Sequence, residues 1–143
     1  MVGIIAFGGY VPRLRMQRKA IAAAHAWFNG GLTGLASGER AVANWDEDAV
    51  TMAVEASRSC LGNRNRSQVD RVVLASTSLP NADRQNSAIV KEALNLPDDI
   101  SAFDVTSSQR AGVSALLDAF HAAAGGAGNI LCVASERRRA RAG

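Results

Sequence analysis

The chain has 143 residues, of which 48% are hydrophobic and 20% are charged, and its formal net charge is +3 at pH 7. This length suits one domain, and the apolar fraction is too high for a disordered chain. No apolar run reaches the roughly 18 residues of a membrane-spanning helix, and the apolar start is too short for a secretory signal, so we expect a cytoplasmic protein without membrane contact.

The first part of the chain predicts one strand and then a helix. Val2–Val11 is a dense apolar run that stops before Pro12, which indicates a strand. Arg15–Phe28 is rich in alanine and is followed by an Asn-Gly-Gly sequence, which is typical of a helix end. A glycine-rich connection over residues 30–38 comes next.

A second helix has the clearest amino-terminal signals in the chain. Asn44 is a suitable N-cap, and Glu47 follows three residues later, as in a capping box. Asp46 and Asp48 add negative charge where the helix dipole is positive. The residues that recur at helical spacing and should face the core are Ala49, Ala53, Ala56 and Cys60, beside Val50 and Leu61.

The remaining chain alternates strands with helices on short connections. The predicted elements are a strand over Asp70–Ser76, a helix from Asn81 or Asp83 to Leu94, a strand over Ile100–Val105, a helix capped by Ser107 or Ser108, and a strand over Asn129–Ser135. The last helix should bury an apolar face formed by Val113, Leu116, Leu117, Phe120 and Ala124. This order predicts an α/β fold in which a mostly parallel sheet carries helices on both faces.

Basic residues raise the question of a nucleic-acid partner. They cluster at Arg13, Arg15, Arg18 and Lys19, and again at Arg137, Arg138, Arg139 and Arg141. One tyrosine and four phenylalanines supply few rings for stacking on bases, so we expect no nucleic acid. A pocket for a nucleotide-bearing small molecule would use the same charges, and the second cluster is alternatively a solvated tail.

Two strand-to-helix junctions, at residues 75–81 and 104–112, concentrate small polar side chains. In parallel sheets such loops are exposed, and the N–H groups of the following helix point into them. The second junction combines hydroxyl groups, an amide and a glycine. Its simpler interpretation is that Ser107 or Ser108 caps the helix and Gly112 allows close packing.

Four segments, at residues 3–12, 38–41, 71–78 and 102–116, together resemble the N-terminal half of the thiolase superfamily. The branch is that of ketoacyl synthase III and hydroxymethylglutaryl-CoA synthase. The resemblance implies a thiolase-like fold, of which residues 1–143 form an incomplete N-terminal domain without its last strand and without the second half. It also implies action on acyl-CoA thioesters, by C–C bond formation or cleavage or by acyl transfer.

The resemblance places Gln109 where the family has a nucleophilic cysteine at the start of its third helix. A thiolate there is stabilised by the helix dipole, whereas an amide cannot hold a covalent acyl group. The resemblance thus implies a coenzyme A thioester as substrate and no covalently bound cofactor, with Gln109 donating a hydrogen bond to the carbonyl or enolate. Alternatively, Gln109 only caps the helix or fills space. Cys60 and Cys132 are expected to be inert core thiols.

Two further positions follow from the same resemblance. Thr77 stands where hydroxymethylglutaryl-CoA synthases have a general-acid glutamate, and a threonine hydroxyl is a poor acid. Arg40 corresponds to the family's CoA-contacting arginine, or is an ordinary surface arginine. The family's catalytic histidine comes from the second half, and we expect structural or surface roles for His25 and His121.

The resemblance also implies how the chain assembles. We expect a homodimer, and we consider a separate second-half chain or a small partner with a zinc ribbon and an OB-fold. The 143-residue chain alone should not be a competent enzyme. The alternative function is a non-catalytic subunit for assembly and CoA binding. No metal site is expected.

Overall fold

The computed structural model describes residues 2–138. The chain divides into two compact units. Within the described residues, the first comprises residues 2–10 and 48–138, and the second comprises Val11–Glu47. The strands are β1 (Leu14–Gln17), β2 (Glu39–Val42), β3 (Arg71–Ala75), β4 (Ser101–Val105) and β5 (Ile130–Ala134). The α-helices are α1 (Arg18–His25), α2 (Ala49–Leu61), α3 (Asn86–Ala93) and α4 (Ala111–Ala124).

A three-stranded parallel sheet forms the centre of the first unit. Its order is β4-β3-β5, and Val73 of β3 lies opposite Phe103 on one side and Cys132 on the other. The strands β3, β4 and β5 lie where the sequence predicts them. Because β3 is central and buried on both faces, it has the continuous apolar composition of an inner parallel strand.

Alternate residues of β3 form two separate cores. Val72 and Leu74 pack with residues of α2 and α3, including Val54 and Val90. On the opposite face, Val73 and Ala75 pack with Ala111 and Ala115 of α4. The prediction of a parallel sheet with helices on both faces is therefore confirmed.

Helix α2 begins later than the sequence signals predict. Asp48, and not Asn44, is its N-cap, and the Asp48 carboxylate accepts hydrogen bonds from the backbone N–H groups of Val50 (2.9 Å) and Thr51 (2.8 Å). Thr51 completes the capping box through its hydroxyl. The predicted Asn44–Glu47 pair does form, since the Glu47 carboxylate accepts the Asn44 N–H at 2.7 Å, but it lies in the preceding loop.

Helix α3 begins at Asn86, not at Asn81 or Asp83, because its cap comes from a neighbouring strand. The Asp104 carboxylate on β4 accepts the backbone N–H groups of Asn86 and Ser87, both at 2.8 Å, and the Asn86 side-chain N–H at 3.0 Å. Burial raises the pKa of Asp104, but these hydrogen bonds outweigh that effect and hold it below its ordinary value of 3.8. No local sequence signal indicates a cap 18 residues away.

The face that α4 presents to the sheet differs from the prediction. Small residues, Ala111, Ala115 and Ala119, are the buried ones, so the helix lies close to the sheet. The exposed fractions of Val113, Leu116 and Leu117 are 55%, 40% and 51%. Phe120 is half-buried and Ala124 is exposed. The apolar residues of α4 do recur at helical spacing, but within the described part of the chain they form a face that points away from the sheet.

The predicted strand over Val2–Val11 is wrong. Within residues 2–138 this segment pairs with no strand, and Ile4, Ile5 and Phe7 are exposed. A strand needs a hydrogen-bonding partner as well as an apolar composition. No helix in the described part of the chain is long and apolar enough to cross a membrane.

The second unit contains an antiparallel pair of strands that the sequence did not predict. Strands β1 and β2 pair so that Met16 lies opposite Arg40. Because Leu14–Gln17 is a strand, helix α1 begins at Arg18 and not at Arg15, and it ends at His25, before Phe28.

Candidate functional site

The carboxyl edge of the parallel sheet brings three loops together. The loop after β3 hydrogen bonds to both neighbouring strand ends: the Ser76 N–H donates to the Val105 carbonyl (3.0 Å), and the Ser135 N–H donates to the Ala75 carbonyl (3.1 Å). Because all three strands are parallel, their carboxyl ends share this edge, where polar groups are exposed to substrates.

A glutamate on this edge is held by the loop that contains Thr77. The Glu136 Oε1 atom accepts the Thr77 backbone N–H at 2.6 Å, and Oε2 accepts the Thr77 hydroxyl at 3.0 Å and the Ser78 hydroxyl at 2.9 Å. The Ser78 hydroxyl in turn accepts the Arg137 N–H at 2.8 Å. The site that the resemblance assigns to a glutamate thus contains a carboxylate from the segment that follows β5.

Sequence reasoning did not single out Glu136. It stands 59 residues from Thr77 and directly before the basic cluster that begins at Arg137. The useful signal was its position two residues after a buried parallel strand, because such positions reach the same edge as Thr77.

Gln109 is exposed in the turn that leads into α4, four residues after the end of β4. The turn is held locally, since the Ser108 hydroxyl accepts the Arg110 N–H (3.1 Å) and the Ser108 carbonyl accepts the Ala111 N–H (2.9 Å). Ser107 has a φ of 69°, a left-handed conformation that is costly for a residue other than glycine. The predicted capping of α4 by Ser107 or Ser108 is therefore wrong, because Arg110 is the N-cap and no side chain caps the helix. The Ser108 hydroxyl and carbonyl instead stabilise the turn before the helix.

The first turn of α4 approaches the end of β5. A Cβ atom on Gly112 would lie 3.3 Å from the Cβ atom of Ala134. Gln109 lies three residues before Gly112, and Glu136 lies two residues after Ala134. Because each follows a strand of the parallel sheet, Thr77, Gln109 and Glu136 lie in segments at the same edge of the sheet, its carboxyl edge.

The remaining predicted residues are not in the loops that follow β3, β4 and β5, except for the basic residues after β5. Arg40 is exposed on β2 of the second unit. His25 and His121 are exposed, on α1 and α4. Of the carboxyl-terminal basic cluster, Arg137 and Arg138 are described, whereas Arg139 and Arg141 lie outside the described residues.

Both cysteines are half-buried and unpaired with each other. Burial raises the pKa of the Cys132 thiol, and the negative charge of Asp118 raises it further, so this thiol is a weak nucleophile near neutral pH. Within residues 2–138, no group of three histidine, cysteine or acidic side chains could hold a metal ion.

A cleft of about 330 Å³ lies beside β5. Its walls are Val2–Gly8, β5 and apolar residues of α2 and α4, and both cysteines line it. Thr77, Gln109 and Glu136 are not among its lining residues. The candidate site is therefore an open edge of the sheet and not this cleft.

Comparisons with known proteins agree on the fold. No family model matches the chain. The hydroxymethylglutaryl-CoA synthase of Archaeoglobus fulgidus is 34% identical over 121 residues, which are 81% of this chain and 35% of that protein. A β-ketoacyl-[acyl carrier protein] synthase III from Thermus thermophilus is 25% identical, with a TM-score of 0.79 over 94% of this chain and 43% of that one. A structure of MvaS in complex with 3-hydroxy-3-methylglutaryl coenzyme A is 24% identical, with a TM-score of 0.83 over 98% of this chain and 35% of that one.

The chain spans about a third of the length of the curated relatives it matches. The two solved structures have the fold that the four sequence segments imply. The predicted fold class is confirmed, and the similarity extends over nearly the whole chain.

Proposed function

We propose that this chain is part of an enzyme that makes or breaks C–C bonds in acyl-CoA thioesters without a cysteine nucleophile. Its sequence segments indicate a thiolase-fold relative of the hydroxymethylglutaryl-CoA synthases. The observation that carries the proposal is the place of Gln109. An exposed amide stands at the start of α4, on the carboxyl edge of the sheet. The curated relatives are named for a coenzyme A thioester, hydroxymethylglutaryl-CoA, which supports a substrate of this class.

An amide at this place suits stabilisation and not covalent catalysis. Its N–H groups can donate to a thioester carbonyl, and more strongly to the enolate that forms when the neighbouring carbon loses a proton or a carboxylate. It cannot be acylated by a thioester, because it has no nucleophilic thiolate. The chemistry therefore proceeds on a substrate that stays attached to coenzyme A. Arg40 is proposed to contact the phosphates of the coenzyme.

Incubation of the native assembly with a radiolabelled acyl-CoA tests this function. We expect conversion of the thioester, or exchange at the carbon beside its carbonyl, with no label on the protein after denaturation. A covalent adduct on any residue would contradict the role of Gln109. Absence of acyl-CoA binding would contradict the substrate class.

The exposed apolar face of α4 favours a second candidate, an assembly role. Val113, Leu116 and Leu117 follow one another at helical spacing and remain exposed beside an alanine face that already covers the sheet. Burying such a face against a second copy would stabilise a homodimer by the hydrophobic effect. A subunit with this role binds acyl-CoA and assembles but leaves the thioester unchanged in the labelling experiment.

A further inference from the structure

We propose that Glu136 is the proton-accepting group of this site, a role that rests on the proposed function and gives it a base. No pattern in the sequence assigns Glu136 a role. Three hydrogen bonds from Thr77 and Ser78 place its carboxylate on the carboxyl edge of the sheet.

The carboxylate is oriented but remains able to accept a proton. The Thr77 backbone N–H is the fixed donor, and the two hydroxyl groups on Oε2 are rotors that can turn to other partners. Oε1 takes one hydrogen bond within the described residues, so one of its lone pairs is open. Among residues 2–138 Glu136 forms no ion pair within 4.0 Å, so no cationic side chain there occupies its oxygens.

Glu136 and Gln109 both lie in segments that follow strands of the parallel sheet, at its carboxyl edge. The Glu136 side chain is exposed, and it follows Ala134, the residue against which the first turn of α4 packs through Gly112. Gln109 lies at the start of that same turn. The proposed role requires a thioester bound along this edge with its carbonyl near the amide and its neighbouring carbon near the carboxylate.

The step is a proton transfer that balances without a further reagent. Glu136 takes a proton from the carbon beside the thioester carbonyl, and the electron pair of the broken C–H bond forms a C=C bond. Negative charge moves to the carbonyl oxygen, where Gln109 donates a hydrogen bond. The products are the Glu136 carboxylic acid and a thioester enolate. In D₂O the carboxylic acid exchanges its proton for a deuteron from the solvent, and the reverse step transfers that deuteron to the carbon.

The test measures deuterium uptake into acetyl-CoA in D₂O by mass spectrometry, with binding of acetyl-CoA measured separately by equilibrium dialysis. Both use the native assembly. Glu136→Gln retains the shape of the side chain and an oxygen for the Thr77 N–H, but it cannot take up a proton. We expect unchanged binding and a fall in exchange of at least about 100-fold. Glu136→Asp should retain part of the exchange, because it retains a carboxylate.

Glu92→Gln is the matched control, because Glu92 is an exposed glutamate on α3. This variant should catalyse deuterium exchange into acetyl-CoA at the wild-type rate. Exchange at the wild-type rate in Glu136→Gln, with binding intact, would overturn the role of Glu136 and leave the proposed function standing. Wild-type protein that binds no acetyl-CoA would overturn the proposed function, and the role of Glu136 with it. If Glu136→Gln loses its fold by circular dichroism, Glu136→Asp decides, because a purely structural role predicts equal losses of binding and exchange.

Discussion

Replacement of Asp104 by alanine removes the cap that starts helix α3. The backbone N–H groups of Asn86 and Ser87 would lose their acceptor, and both residues are at most 1% exposed, so water does not replace it. A lost N-cap costs about 0.5–2 kcal/mol and a buried unsatisfied donor about 1–3 kcal/mol. Because Asp104 itself is only half-buried, we expect a loss of about 2–4 kcal/mol in the free energy of unfolding.

Thermal unfolding followed by circular dichroism measures this loss. For a chain of this size it corresponds to a Tm lower by roughly 6–12 °C. Asp104→Asn retains one acceptor oxygen and should lose less, and Asp99→Ala, which removes an exposed carboxylate from the loop before β4, should change little. A Tm for Asp104→Ala equal to that of Asp99→Ala would refute the assignment of Asp104 as the cap.

The same carboxylate predicts a pH dependence. The pKa of Asp104 is lower in the folded chain than its ordinary value of 3.8, so the folded state favours the ionised form. Its contribution to stability is fully present above pH 3.8 and is lost as the pH falls through the lowered pKa. The difference in Tm between wild type and Asp104→Ala should therefore shrink below this pH, and a constant difference would contradict the cause assigned to the shift.

Two further predictions concern packing and assembly. Gly128→Ala should lower the free energy of unfolding by about 1–2 kcal/mol or more, because its φ is +76° and the added Cβ atom would collide with the Asp70 carboxylate. Gly30→Ala should not lower it, because the space around Gly30 is open. Urea denaturation measures both variants, and equal midpoints would contradict this prediction. Leu117→Lys should weaken self-association, measured by sedimentation velocity, without lowering the Tm of the monomer. An unchanged dimer would show that this face of α4 is not part of the interface.

Much of the first unit was predictable because its signals are local. The apolar runs of β3 and β5 are typical of buried parallel strands, and the resemblance located Gln109 at the start of a helix that the structure does place after β4. The start of α3 was not predictable, since its cap is a carboxylate from the neighbouring strand. The strand β1 was missed because its partner lies 22–28 residues away.

The candidate site shows the same division. Thr77 and Gln109 could be found from their positions after strands, whereas the carboxylate that Thr77 holds is 59 residues further along the chain. The outward face of α4 was misassigned because periodicity shows which residues share a face but not whether that face meets the sheet. Alanines at Ala111, Ala115 and Ala119 were the better guide, since close packing on a sheet favours small residues.

Reactivity of a thiol introduced at residue 109 tests most directly whether this position is an open helix start suited to thioester chemistry. In Gln109→Cys, we expect iodoacetamide to modify the new thiol at least about tenfold faster than Cys60 or Cys132 near neutral pH, because it is exposed and near the positive end of α4. Peptide mapping by mass spectrometry follows all three cysteines in one sample. Slow and equal modification of all three would contradict the account.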